Sequence, residues 1–172
     1  MKVITEIYHN DIGLPKSNKI IKFEIRKAAR TVLVNERDQV ALLHVSKDNY
    51  YKLPGGGIKE NELIHDALSR EVYEEVGSDL EILDELGMTI EYRELFEQLQ
   101  ISYSFLCRTR GELIEPEFTQ NELNHGFRLI WKSLDEAVNL IESYCGEKYV
   151  AKFICLRDLQ IIKEAGRIMQ SK

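Results

Sequence analysis

Apolar and polar positions alternate with a period of two in KVITEIY and IKFEIR, near the start of the chain, and this alternation predicts half-buried strands. TVLVNERDQVALLHV reads as a hairpin, with polar Asn35 to Asp38 separating two β-branched and aliphatic runs. GMTIEYREL, LQISYSFLCR and FRLIWKSL add further strands. The pattern turns helical in ELIHDALSREVYEEV, which lacks Gly and Pro, is rich in helix formers and precedes Gly77 in the place of a C-terminal cap. Asn61 before it reads as a cap or a left-handed residue. Two helices close the chain. Ser133 and Glu136 have capping-box spacing at the start of SLDEAVNLIESY, and a last helix from about Lys148 to Met169 sets Phe153, Ile154, Ile161, Ile162 and Ala165 in an apolar pattern. LPGGGIKEN is expected to be a loop, because Pro54 restricts Leu53 to extended geometry and a glycine run penalises regular structure. Mostly strands, with one helix in the middle and helices at the end, predict an α+β or mixed α/β sandwich.

At 172 residues, with 44% hydrophobic and 30% charged positions, the chain fits one globular domain over 1–172. A net charge of −6 disfavours a general nucleic-acid binder, so no DNA partner is expected, and an acidic protein that handles phosphates needs a metal ion between the charges. No apolar run approaches the roughly 18 residues of a membrane span, and MKVITEIYHND lacks a secretory apolar stretch, so a cytoplasmic protein without a membrane partner is expected. Cys107, Cys145 and Cys155 are odd in number and lack metal-ligand spacing; reduced, partly buried thiols are expected. The histidines at 9, 44, 65 and 125 are scattered, and nothing announces covalent catalysis.

The helix in the middle changes the picture. Ile64, Ala67, Leu68, Glu71, Glu74 and Glu75 follow one helical face, so an apolar stripe runs into three carboxylates. A solvated charged surface is the bland alternative. Carboxylates crowded at the rim of a core repel one another, and a hard divalent ion, Mg²⁺ or else Mn²⁺, is the natural compensation. Arg70 keeps its charge and can hold a carboxylate by two hydrogen bonds. Gly55, Gly56 and Gly57 let the backbone approach a phosphate or turn a carbonyl toward a metal, although the segment is not a P-loop.

Together these residues resemble the Nudix box. Gly56, Glu62 and the run Arg70-Glu71-Val72-Tyr73-Glu74-Glu75-Val76-Gly77 stand at its fixed positions, while Ser78 replaces its last aliphatic residue and Asn61 stands where a glycine often precedes the first glutamate. The box covers Gly56 to Ser78, and the flanking pattern extends the likeness to a core of about Ala28 to Tyr144. The resemblance implies a mixed sheet between helices and hydrolysis of a nucleoside diphosphate linked to another group. It implies Glu71, Glu74 and Glu75 as metal ligands, with Gly55 or Gly56 adding a carbonyl, Arg70 orienting them, and Glu62 binding through water or capping the helix. Glu71 is the first candidate general base, Glu122 the second, and Glu117 stands behind it. A MutT-like triphosphatase, an ADP-ribose or dinucleotide hydrolase and a cap-removing RNA hydrolase stay open as substrate types, the acidic balance weighing against the last. A module that senses nucleotides without cutting them and an isomerase of allylic diphosphates are the competing classes.

Other residues receive structural readings. Tyr50, Tyr51, Tyr103, Phe105 and Trp131 are read as packing, Lys52 and Lys59 as solvated, and His65 as a surface residue. Apolar positions on the last helix suggest that it covers the sheet or pairs two copies into a homodimer.

Overall fold

The structure, a computed structural model, describes residues 1–15 and 17–171. In chain order its strands are β1 (Val3–Ile7), β2 (Glu24–Val34), β3 (Val40–Val45), β4 (Tyr50–Lys52), β5 (Gly55–Gly57), β6 (Asp79–Arg93), β7 (Gln98–Arg110) and β8 (Phe127–Lys132). The helices are α1 (Ile64–Val76), α2 (Gln120–Asn124), α3 (Leu134–Ser143) and α4 (Tyr149–Gln170), with 3-10 turns at His9–Ile12 and Glu94–Phe96. Among the described residues the strands form one mixed sheet, ordered β1-β6-β7-β2-β3-β4, with β5 also on β2 and β8 also on β3. β2 and β7 run parallel from Glu24↔Gln98 to Val34↔Arg108, whereas β6 and β7 are antiparallel.

Alternation along β2 divides the core between two faces. Ala29 and Leu33 meet Ala67, Leu68, Val72 and Val76 of α1 on one face. Val32 and Val34 meet Ala137 and Ile141 of α3 and Ile161, Ile162 and Ala165 of α4 on the other. The result is the expected α+β sandwich, a mixed sheet with helices on both sides.

Several expectations are corrected. The last three residues of IKFEIR and all of TVLV belong to one strand, β2, and β6 starts at Asp79, directly after α1. The three glycines form β5 instead of a loop: Ala28↔Gly57, Ala29↔Gly56 and Arg30↔Gly55 pair antiparallel. Propensity loses here to pairing with a strand far back in sequence, and Gly55 permits it, because at φ +127 a Cβ would stand 2.2 Å from the Ala29 carbonyl oxygen. Leu63 is the N-cap of α1, and Asn61 takes the left-handed alternative at φ 61. Cys145 and Cys155 are disulfide-bonded, with Cα atoms 5.2 Å apart, and only Cys107 is a free thiol, so the expectation of reduced thiols fails for two of the three. Nothing in the spacing reveals that α4 returns Cys155 to the end of α3. Phe153, Ile161, Ile162 and Ala165 are fully buried within the fold, so α4 covers the sheet, the first of the two roles expected of it. Lys52, read as solvated, is buried, while Lys59 and His65 are exposed. Gly77 ends α1 in the left-handed region as expected, and the Ser133–Glu136 capping box opens α3. Among the described residues no helix is long and apolar enough to cross a membrane.

Candidate active site

Arg70 organises the glutamate end of the molecule. Its Nε and Nη2 donate to the two oxygens of Glu62 at 2.7 and 3.0 Å, Nη2 donates also to the Gly57 carbonyl at 3.0 Å, and Nη1 donates to Glu71 at 2.7 Å and Glu74 at 3.3 Å. Every N–H of the planar guanidinium thus has a partner, a frame that an ammonium cannot build. The Arg70 side chain, helped by the Lys59 amide, holds the Glu62 carboxyl down at about 2. α1 makes this possible because residues 70 and 74 are one turn apart, while the turn at Asn61 brings Glu62 back to the start of the helix.

Glu71 and Glu74 remain partly exposed. A Cβ on Gly56 would stand 2.2 Å from Glu71 Oε2, so the Glu71 carboxylate occupies space that only glycine leaves open. Glu75 is different. It is 2% exposed, with one oxygen 2.7 Å from Lys52 Nζ and the other accepting from the Gly55 amide at 2.6 Å. Burial pushes its carboxyl above the ordinary glutamate value, against the opposing pull of Lys52 and the Gly55 amide. Glu75 therefore ties α1 to β4 and β5 in this structure. The Gly55 carbonyl accepts a hydrogen bond from buried Arg30.

The two loop acids also part company. Glu122 accepts from the Thr119 amide and hydroxyl, both at 2.8 Å, and closes the capping box of α2. Glu117 has an exposed side chain, and its amide donates to the Glu74 carbonyl at 2.8 Å, which fastens the loop to the last turn of α1. Lys52, Arg30 and Asp158 are participants that sequence reasoning missed. Asp158, on α4, accepts from the Leu53 amide at 2.8 Å and so fixes the approach to Pro54 and the glycines. Arg30 did carry a signal: it is a lone charge inside the apolar run of β2, where burial requires a partner.

Among the described residues, no three Asp, Glu, His or Cys side chains converge into a ready-made metal cage. Mg²⁺ does not require one, since it is typically held by one or two carboxylates together with water and substrate phosphates. Glu71 and Glu74 offer hard oxygen donors, and the space beside Gly56 accommodates a carboxylate, so these residues fit such an ion.

The NUDIX domain family model matches residues 24–153. The chain belongs to the Nudix family. It is 27% identical over 144 residues to Nudix hydrolase 6 of Arabidopsis thaliana, covering 82% of this chain and 47% of that protein. It is 35% identical over 79 residues to an RNA pyrophosphohydrolase of Marinomonas sp. (strain MWYL1), covering 44% of this chain and 49% of that one. This Nudix chain thus spans about half the length of these two relatives. The MutT protein from Methanosarcina mazei Go1 superposes with a TM-score of 0.54 at 20% identity, over 78% of this chain and 94% of that one, a likeness of fold. Where Ser78 departs from the Nudix box, its buried hydroxyl donates to the Asp79 carbonyl at 2.6 Å, so the polar replacement is satisfied locally.

Proposed function

We propose that this Nudix chain hydrolyses the pyrophosphate linkage of a nucleoside diphosphate derivative with Mg²⁺ as cofactor, Mn²⁺ being the substitute. The observation that carries the proposal is the Arg70 frame, which holds Glu71, Glu74 and the Gly57 carbonyl together beside the space left by Gly56. The two relatives named as hydrolases support it. Bound Mg²⁺ would neutralise phosphate charge and lower the pKa of a water. Glu71 and Glu74 would hold it, and Arg70 fixes their orientation from behind. Glu75 acts at one remove, by anchoring the Gly55 amide through its second oxygen. Glu71 is the first candidate to receive the proton of the attacking water; Glu117 now precedes Glu122 as the alternative, because the Glu122 carboxylate serves a cap. Residues 1–172 act as one domain, with a small nucleotide as partner.

The test is incubation with nucleoside triphosphates, ADP-ribose, dinucleotides and nucleotide sugars, with and without Mg²⁺. Cleavage that requires the ion is expected, and Glu74→Gln should reduce it by about 100-fold or more without loss of fold. Binding without turnover across the whole panel would instead identify a nucleotide-sensing module. Wild-type turnover by Glu74→Gln at saturating Mg²⁺ would remove this site from the reaction.

A further inference from the structure

Two ties hold β4 and the residue after it, and one covalent bond joins them. Tyr50, the first residue of β4, pairs with Val45 of β3 and also bridges antiparallel to Cys145. Leu53, directly after β4, donates its amide to Asp158 of α4 at 2.8 Å. Cys155 stands three positions before Asp158, about one turn earlier on the same helix, and is bonded to Cys145. Backbone bridge, disulfide, helical turn and carboxylate therefore close a ring around β4. Within that ring lies Lys52, whose Nζ meets Glu75 at 2.7 Å, and just past it the Gly55 amide meets the other Glu75 oxygen at 2.6 Å. The disulfide thus stands behind the segment that delivers the glycine strand to α1.

Access to the two sulfurs differs. Cys155 is 1% exposed, whereas Cys145 is only partly buried. Cys145 lines an open cleft of about 540 Å³ between the turn at 47–49 and the segment 143–148, a volume that admits a small ligand. An incoming thiolate therefore reaches the Cys145 sulfur and not its partner. Cys107 cannot compete, because it is packed in the core on the α1 face of the sheet, while Cys155 belongs to the core on the α4 face. Disulfides with an accessible sulfur are the ones that exchange with small thiols.

We propose that Cys145 is a thiol-exchange site for a low-molecular-weight thiol, and that the bond it shares with Cys155 is a reversible clamp on β4. A thiolate attacks the Cys145 sulfur, the Cys145–Cys155 bond breaks, and its electron pair leaves on the Cys155 sulfur, which takes up a proton. A second thiolate attacks the sulfur of the small molecule in this mixed disulfide, releases it as its own disulfide and frees Cys145. Two thiols are oxidised and one protein disulfide is reduced; the small disulfide drives the reverse. Opening the bond cuts the ring, so the hold of Asp158 on the Leu53 amide loosens and the Gly55–Glu75 contact loses its support. The effect of this clamp on turnover rests on the hydrolase reading; the exchange chemistry and the clamp do not.

Glutathione is the probe. Incubated with its oxidised form, Cys155→Ser should acquire one glutathionyl group by mass spectrometry and Cys145→Ser none, with melting temperatures as the control for folding. Any other pattern overturns the exchange site. Should a serine variant fail to fold, the wild type decides: reduced glutathione should make Cys145 and Cys155 open to alkylation without unfolding, and oxidised glutathione should close them again. A bond that opens only in denaturant overturns the proposal. In the opened wild type, the Leu53 and Gly55 amides should exchange with deuterium about tenfold faster while those of β7 stay unchanged. Unaltered exchange at Leu53 and Gly55 overturns the clamp. With Mg²⁺, kcat/KM on a cleaved nucleotide should fall about tenfold on opening and recover on reoxidation. Equal turnover in both states overturns control of the site and leaves hydrolysis standing. Faster exchange at Leu53 in a protein that cleaves no nucleotide in either state supports the clamp and overturns the hydrolase reading.

Discussion

Gly56 has two obligations, to pair with Ala29 across the strands and to leave its outer face to the Glu71 carboxylate. A methyl group there would lie 2.2 Å from Glu71 Oε2, and the carboxylate must move, since the backbone is held by the β2 pairing. Displacement of a reacting group by about 1 Å costs on the order of 100-fold in rate. Gly56→Ala is therefore expected to keep its melting temperature within a few degrees while kcat/KM falls about 100-fold, measured on whichever substrate the panel identifies. An alanine variant as active as the wild type would mean that Glu71 has no need of that position. The spacing of Arg70, Glu71 and Glu74 was legible from sequence because helix geometry converts it directly into shared reach. The contact of Glu71 with Gly56 was not, since it depends on how α1 docks against β5.

At the scale of elements, the helix starts show how local signals are honoured or replaced. α3 begins with the Ser133 hydroxyl accepting from the Glu136 amide at 3.3 Å while the Glu136 carboxylate accepts from the Ser133 amide at 3.0 Å. Ser133→Ala should lower the unfolding free energy by about 1 kcal/mol, read as a shifted urea midpoint with an unchanged slope. A midpoint identical to the wild type would show that packing against α4 alone sets the start of α3. α1 has no side-chain cap at Leu63; the turn before it is closed instead by the Glu62 carboxylate on the Lys59 amide at 2.8 Å. The same Glu62 grips Arg70, so the entry to the helix and the charged frame share one residue. β5 is the element that local signals misstate: its composition is that of a loop, and its structure comes from β2.

Across the whole molecule, α4 is the long-range organiser. It brings Cys155 to Cys145, Asp158 to the Leu53 amide and Arg157 to Glu91. Burial raises the remaining thiol, Cys107, to about 12, so at neutral pH it is protonated and shielded as well. Native protein purified without reductant should therefore give no reaction with a thiol reagent, one equivalent after unfolding, and three after unfolding with reduction. Three equivalents without reduction would disprove the Cys145–Cys155 bond, which persists where the surroundings are oxidising. By itself the sequence determined most strands of the sheet, the glutamate helix and its arginine, the Gly77 end of α1 and the capping box of α3, because each depends on spacing within a few residues. Only the tertiary structure decided which charged groups stay available. Glu75 meets Lys52 across 23 positions, and Asp158 meets Leu53 across 105. Partners so distant leave no trace in local periodicity, and burial then fixes whether a charge is held in a pair or left open to a ligand.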